Sequence, residues 1–318
     1  MTDMFVDSQT IKEIALCVGF DDCGISDASV DDGNVSALES WLAKSYNAGM
    51  SYMERNIDVR SDLRMLVDGA KSVISVLYSY NTDEQPDRTD FRIAKYALGR
   101  DYHYVLKEKL NQMLTEIKKV CPQADGRAFV DSAPLFERYF AHKSGLGFIG
   151  RNRCLISPKL GSFVFIGELI VNFESDYDQP LNQTCIGCNA CIKACPTKAL
   201  TFDGINAQKC ISYQTIEKKD GIDEEVRSVL GNRIYGCDAC QDCCPHNFSV
   251  PKKSGIILPE IKAFSPEELE NMSNHQFQKK FADTALLRAG RKKIAGNRHD
   301  VKTQNLASQQ KNGATINP

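Results

Sequence analysis

Nine of the chain's 13 cysteines fall between Cys185 and Cys244, and their spacing is the part of the sequence best suited to chemistry. Cys185, Cys188, Cys191 and Cys195 form C-x2-C-x2-C-x3-C, closed at once by Pro196. This is the bacterial ferredoxin spacing. A tight loop aims three thiolates at one cuboidal 4Fe–4S cluster, and the fourth cysteine, before the proline, serves a second cluster. A second run, Cys237, Cys240, Cys243 and Cys244, closes on Pro245. Two such runs imply two 4Fe–4S clusters with exchanged fourth ligands. Zinc is the bland alternative. Four-thiolate zinc sites use paired C-x2-C units, and a three-cysteine run ending in Cys-Pro fits them poorly.

The spacing leaves the allocation open. Two clusters need four cysteines each, and Cys210 adds a ninth candidate to the region. Cys185, Cys188, Cys191 and Cys244 make cluster 1. Cluster 2 takes Cys195, Cys237, Cys240 and either Cys210 or Cys243. The remaining cysteines, Cys17, Cys23, Cys121 and Cys154, are isolated and read as small buried hydrophobes.

These thiols need a reducing compartment and a scaffold. The first residues carry no basic stretch followed by an apolar run, so no secretory signal is read. No segment approaches ~18 uninterrupted apolar residues, so no membrane span is expected. The expectation is a cytoplasmic protein, where clustered cysteines bind metal more often than they form disulfides. With 42% hydrophobic and 25% charged residues over 318 positions, the chain is an ordinary globular protein, not a disordered one. Its net charge of −2 excludes a uniformly basic protein but not a local basic patch.

About 176 residues precede the clusters, and they alternate strand and helix signals, which predicts an α/β domain. A helix ends at Gly19. Residues 72–80 form a β-rich apolar run. Residues 101–120 form an amphipathic helix with Val105, Leu106, Leu110, Met113, Leu114 and Ile117 on one face. A strand at 128–131 runs into a helix over 133–143 with Pro134 in its first turn. Two strands, 154–157 and 162–173, flank the turn at 158–161. Residues 256–290 read as helical, with Ser265 as an N-cap and Pro266 at N1. The last ~25 residues are polar and read as frayed. Clusters joined to a larger α/β domain suggest an internal supply of single electrons to a redox centre, which favours an enzyme over a plain carrier.

Six strings occur in order: Y-A-L-G-R-D-Y-H (96–103), V-D-S-A-P-L-F-E-R (130–138), G-L-G-F-I-G-R-N (145–152), G-S-F-V-F-I-G-E-L (161–169), C-I-S-Y-Q-T-I-E (210–217) and G-N-R-I-Y-G-C-D-A-C-Q (231–241). Together they resemble the epoxyqueuosine reductases, over about residues 10–297. That family comprises cobalamin-dependent iron–sulfur enzymes that reduce the epoxide of epoxyqueuosine to the alkene of queuosine at the tRNA wobble position. The resemblance implies cobalamin; no spacing in this chain shows it independently. It also implies an α/β cobalamin-binding catalytic domain over 1–176. A ferredoxin-like domain with two 4Fe–4S clusters follows over 177–255, then a helical segment with a polar basic tail over 256–318. Relatives commonly continue into a helical repeat segment.

The resemblance places a cysteine at the position of Cys210 and usually an aliphatic residue at that of Cys243, which implies Cys210 as the fourth ligand of cluster 2. It matches Asp131 to the proposed proton donor, Arg55 to an arginine near the cofactor, and Leu155, Ile166 and Ser212 to the corrin site. Read by itself, Asp131 at a strand-to-helix junction is a helix-entry carboxylate, Arg55 a surface arginine, and Leu155 and Ile166 core residues. The chemistry needs an acid, because expelling the epoxide oxygen as water requires its protonation. Burial beside an apolar corrin would hold a carboxyl protonated.

Gly145, Gly147 and Gly150 spell G-x-G-x-x-G, but the motif follows a helix and precedes a strand-like run, so a glycine helix stop is the better reading. His103, His142 and His246 lack metal-ligand spacing and read as surface or partner-facing residues. Residues 279–302 hold eight bases against Asp283 and Asp300, a local +6. That stretch, with Arg291, Lys292 and Lys293 at its centre, reads either as a solvated tail or as a patch that grips tRNA phosphates.

The leading expectation is a monomeric, membrane-free epoxyqueuosine reductase acting on tRNA and fed by an external low-potential donor, flavodoxin or ferredoxin. The alternatives are a cobalamin and iron–sulfur reductive dehalogenase acting on a small molecule, and a ferredoxin-type electron carrier.

Overall fold

The computed structural model describes residues 4–313, with side chains described as far as Val301. Strands Asp22–Asp27, Ser72–Ser79, Val164–Val171 and Gly126–Phe129 form one sheet in that spatial order, and every neighbouring pair is antiparallel. The alternating strand and helix signals are therefore right, but the architecture is α+β in its pairing. After Ser79 the chain leaves the sheet for about twenty residues before the long helix Tyr102–Val120 begins. Strands 72–79 and 126–129 consequently run the same way on either side of the opposed strand Val164–Val171. Strand–helix alternation cannot reveal that interleaving.

Period-2 alternation assigns the two faces. Ile25, Ile74, Val76, Leu169 and Val171 meet the helices Ser8–Val18 and Tyr102–Val120. The first helix starts on an Asp7 cap and stops at Gly19, whose φ is 93°. The second buries Leu106, Leu110, Met113 and Ile117, with Val105 and Leu114 at the edge of the stripe. Truncating one such leucine to alanine costs about 2–5 kcal/mol. On the opposite face, Val73, Phe129 and Ile170 pack with Leu63, Leu135 and Phe140. Ser75 and Glu168 are register partners there.

The helix expected from residue 133 begins at Glu137. Residues 130–136 form a loop instead, because Asp131 takes φ = 45° and its N–H is satisfied by the Glu137 side chain. Pro134 suits an extended loop as readily as a first helical turn. Gly145 is left-handed at φ = 75° and donates its N–H to the His142 carbonyl, so the glycine triplet does stop a helix. The short strands Phe148–Ile149 and Leu155–Ile156 then pair with each other outside the main sheet.

A second core joins Phe91, Ile93 and Leu98 to Ile211, Leu230, Ile234 and Tyr235, and to Ile261, Phe264, Phe277, Phe281 and Ile294. The excursion after Ser79 thus supplies part of the floor beneath the cysteine-rich region. The C-terminal segment is helical in short pieces. Ser265 caps none of them; its hydroxyl donates to Glu267. The side-chain cap is Ser273, in a capping box with Gln276 that opens the helix Asn274–Lys280. Of the last ~25 residues, expected to fray, those up to Gly313 belong to the helix Gly290–Gly313, docked through Ile294 and Val301, and 314–318 lie outside the described residues.

Candidate functional site

Asp131 sits just past the carboxyl end of the strand Gly126–Phe129, on the loop that strand delivers. Its side chain is 64% exposed, so the burial expected of a protonated acid is not built by this chain alone. Three groups hold it. The Tyr102 hydroxyl donates to its Oδ2 at 2.6 Å. Its own N–H donates to Glu137 Oε1 at 2.5 Å. His103 Nε2 lies 3.8 Å from the same Oδ2. His103 Nδ1 is 2.7 Å from Asp101 Oδ1, and Asp101 caps the Tyr102–Val120 helix.

Tyr102 is clamped between rings. It stacks on Phe165 at 4.3 Å and on His103 at 4.1 Å, with Tyr96 edge-on at 6.2 Å. Burial, reinforced by the negative charge of Asp131, raises its pKa, so the phenol stays a donor. Burial pushes the Glu137 carboxyl up to about 7, and the Asp131 charge adds to this. Glu168, fully buried, is raised as well by burial, although Ser75 Oγ donates to its Oε2 at 2.6 Å. Its Oε1 has no hydrogen-bond partner. Asp131, Glu137 and Glu168 therefore form a line of acids running from the surface into the sheet.

Sequence reasoning missed Tyr102, Glu137 and Glu168 as members of this site and read His103 as a bystander. The signal was present: the D-Y-H triplet ends one of the matched strings and the E-R pair ends another. Only the fold shows that the two strings meet.

Of the positions that the resemblance assigns to the corrin, Leu155 and Ile166 share an apolar cluster with Leu77, Ala141, Leu146 and Val164. Arg55 is exposed and donates to Ser51 Oγ at 3.0 Å. Ser212 lies in the first turn of the helix Ile211–Ile216. That helix and the Arg55 segment are tied together, because the Gly49 N–H donates to the Tyr213 hydroxyl at 2.8 Å. Nearby, Arg60 is buried with its Nε unpartnered, while one of its terminal nitrogens donates to the Leu135 carbonyl. The apolar side chains of Leu155 and Ile166 fit the face of a broad macrocycle.

The cysteines divide into two groups. Cys185, Cys188, Cys191 and Cys244 line one apolar cavity together with Arg151, Ile156 and His246. The Arg151 N–H donates to Cys185 Sγ at 3.3 Å. Among the described residues no three Cys, His, Asp or Glu side chains converge on one ion. Thiols standing around a cavity suit a cuboidal cluster better than a tetrahedral zinc, which would draw four sulfurs to ~2.3 Å from one point.

Cys195, Cys210, Cys237 and Cys240 form the second group. Cys210 neighbours Cys195 and Cys237, and Cys240 neighbours all three. Cys243 neighbours Cys191, Cys244 and Cys188, and its thiol lies 3.7 Å from the Cys240 carbonyl. Cys154, read as a packed isolated thiol, lies close to Cys240 and to Cys244. The short helices Ala190–Ala194 and Ala239–Asp242, one from each run, pack together and bring the groups side by side.

The basic tail is less free than its sequence. Arg298 is buried against Glu267 and Glu270, Arg288 pairs with Glu217 at 2.9 Å, and Lys280 pairs with Glu268. Arg291 donates to the Leu269 carbonyl at 2.5 Å and to Asn274. Lys293 donates to the Asp220 carbonyl at 3.1 Å. Lys292 is exposed. The Lys302 side chain lies outside the described residues.

Two family models match the chain: one described as epoxyqueuosine reductase QueG, DUF1730, over residues 60–132, and one described as a 4Fe-4S double cluster binding domain, over residues 184–247. An epoxyqueuosine reductase of Leadbetterella byssophila is 43% identical over 293 residues, which is 91% of this chain and 97% of that protein. The Escherichia coli epoxyqueuosine reductase is 37% identical over 89% of this chain and 77% of its own. The solved structure from Streptococcus thermophilus aligns with a TM-score of 0.86 at 30% identity, covering 93% of this chain and 81% of that one. An epoxyqueuosine reductase solved with an epoxyqueuosine-modified tRNA-Tyr stem loop aligns equally well, covering 93% and 80%. A Bacillus subtilis structure at 29% identity, with a TM-score of 0.85, has its catalytic aspartate loop swung out of the active site. Likeness at this identity, sustained from end to end of a relative of similar length, leaves one conclusion: the chain belongs to the epoxyqueuosine reductase family.

Proposed function

We propose that this chain reduces epoxyqueuosine to queuosine in tRNA, using cobalamin fed by two 4Fe–4S clusters. The observation that carries the reading is Asp131, presented at a strand end by a left-handed loop, hydrogen-bonded by Tyr102, in a chain that is 43% identical to an epoxyqueuosine reductase over nearly its whole length. A relative of the same fold has been solved with the modified stem loop, which supports tRNA as the substrate.

Cys185, Cys188, Cys191 and Cys244 hold cluster 1, and Cys195, Cys210, Cys237 and Cys240 hold cluster 2. The external donor is a low-potential one-electron carrier, flavodoxin or ferredoxin. Arg55, Leu155, Ile166 and Ser212 contact the corrin. Bound cobalamin supplies the low-potential metal centre that delivers electrons to the epoxide-bearing ring.

The chain's own residues do the rest. Asp131 gives a proton to the epoxide oxygen. Tyr102 holds the carboxyl by Oδ2 and leaves Oδ1 toward the substrate. Glu137 fixes the loop. Lys292, with Arg291 and Lys293, contacts tRNA phosphate. No helix among the described residues is long and apolar enough to cross a membrane; with a tRNA substrate, the chain works in the cytoplasm as a monomer.

The test is direct. Reduced protein loaded with clusters and cobalamin is incubated with epoxyqueuosine-containing tRNA, and the nucleosides are separated and weighed. Queuosine should appear in the complete mixture and not when cobalamin is omitted.

A further inference from the structure

This inference rests on the reductase reading and concerns its protons. Converting an epoxide to an alkene breaks both C–O bonds and releases the oxygen as water. The balance is two electrons and two protons per turnover. A single carboxylic acid holds one proton. Asp131 must therefore be recharged within the cycle, while tRNA covers its exposed face.

The residues around Asp131 offer one such route. His103 stands at the start of the Tyr102–Val120 helix with Nδ1 2.7 Å from Asp101 Oδ1. That contact assigns the Nδ1 hydrogen to Asp101 and aims Nε2 at Asp131, 3.8 Å away. A small ring rotation or one water closes this gap. The imidazole is 31% exposed, so solvent reaches it. Stacking against Tyr102 holds the ring plane.

The groups facing His103 are Asp101 from its own helix start, Asp131 and Glu137 from the loop and helix across from it, and Arg288 from the C-terminal segment. Burial and Arg288 oppose a charged imidazole. The Asp101 hydrogen bond and the charges of Asp101 and Asp131 favour it and win, so its pKa stands above the ordinary histidine value. Neither its sequence spacing nor any metal role explains this arrangement.

We propose that the Asp101–His103 pair is a proton feed for Asp131, so that one carboxyl supplies both protons of the departing water. Asp131 first passes its proton to the epoxide oxygen as one C–O bond breaks. The His103 imidazolium then gives its Nε2 proton to the Asp131 carboxylate and becomes neutral, keeping its Nδ1 hydrogen on Asp101. Asp131 passes this second proton to the hydroxyl, which leaves as water when the other C–O bond breaks. Solvent returns a proton to His103. The two electrons are those of the reductase reading, and nothing further is consumed. His103 acts through Asp131 and is a positioning and relay residue.

The experiment compares His103→Ala, His103→Gln and Asp101→Asn with the unmodified full-length protein, each first checked for cluster content, cobalamin loading and tRNA affinity. Both His103 variants should keep all three and lose roughly 30- to 100-fold in single-turnover rate. Added imidazole should restore His103→Ala, with a rate that tracks the imidazolium concentration as pH changes. Without turnover, the NMR titration of the His103 ring should show a lower pKa in Asp101→Asn. The relay is overturned if His103→Ala turns over at the unmodified rate. It is equally overturned if that variant is slow but indifferent to imidazole and pH, which is the mark of a structural role, or if Asp101→Asn leaves the ring titration unmoved. Failure of the unmodified, loaded protein to make any queuosine would instead count against the reductase reading itself.

Discussion

The backbone N–H of Asp131 donates to the Glu137 carboxylate at 2.5 Å, across a loop in which Asp131 itself is held at φ = 45°. A non-glycine residue in this left-handed region costs on the order of 1 kcal/mol and persists only where its surroundings fix it. Glu137 is that fixture. In the Bacillus subtilis relative the catalytic aspartate loop has been seen swung out of the active site. Glu137→Ala should release the loop, lower turnover by ~10-fold or more, and speed amide exchange across residues 130–136, whereas Glu137→Gln, whose amide oxygen still accepts the N–H, should keep the loop closed. Hydrogen exchange on both variants checks this.

The same residue sets a pH dependence. Its folded value of about 7 lies above the ordinary 4.5. The stability it contributes as a neutral acid is full below the ordinary value and is lost as pH rises through about 7. Glu137→Gln is neutral throughout. Relative to the unmodified protein it should gain stability between pH 5 and pH 8 by on the order of 2 kcal/mol. Urea unfolding at the two ends of this range measures the difference; no change would place the titration elsewhere.

Asp131→Asn is nearly isosteric and still accepts from Tyr102, but it cannot release a carboxylic proton. Turnover should fall ~100-fold or more, with iron content, cobalamin binding and tRNA affinity unchanged. Near-normal turnover in a well-folded variant would remove Asp131 from its role.

For the clusters, Cys243 neighbours Cys191 and Cys244, and Cys210 neighbours Cys195 and Cys237. Cys243→Ala should retain the iron of both clusters, while Cys210→Ala should lose about half of it. Anaerobic iron analysis with EPR decides; the reverse pattern would assign Cys243 to cluster 2.

Counted from sequence, neutralising Arg291, Lys292 and Lys293 should flatten the log–log salt slope of tRNA binding by about two units. Two of these residues already bond within the protein, through Leu269, Asn274 and Asp220. The expected change is therefore about one unit, carried by Lys292, at about −0.7 to −0.9 per phosphate contact. An unchanged slope would move the tRNA grip to another face.

How much of this could be read from the sequence depends on the range of the signal. The amphipathic stripe of Leu106, Leu110, Met113 and Ile117 is a local pattern with one geometric meaning, and the structure repeats it; the Cys-Pro runs are equally local and fall within the match to a 4Fe-4S double cluster binding domain. The antiparallel interleaving of the sheet is set by contacts about forty to a hundred residues apart, and alternation is blind to it. The tail misled for the same reason. Its bases were balanced against acids inside the segment, while the actual partners Glu217, Glu267, Glu268 and Glu270 lie earlier in the chain. At the site, Asp131 could be read only through resemblance. His103 and Glu137 needed the loop conformation, because a left-handed aspartate leaves no periodicity to detect.

The central claim is that Asp131, positioned by this loop, protonates an epoxide oxygen on tRNA. The most direct measurement follows the fate of that oxygen. Epoxyqueuosine-containing tRNA is given to the reduced, cluster- and cobalamin-loaded protein for a single turnover, beside Asp131→Asn loaded to the same level, and the digested nucleosides are weighed. The account predicts a product lighter by one oxygen atom with the unmodified protein, and unreacted epoxide with the variant over the same interval. Equal conversion by both proteins, or no oxygen loss with either, would contradict it.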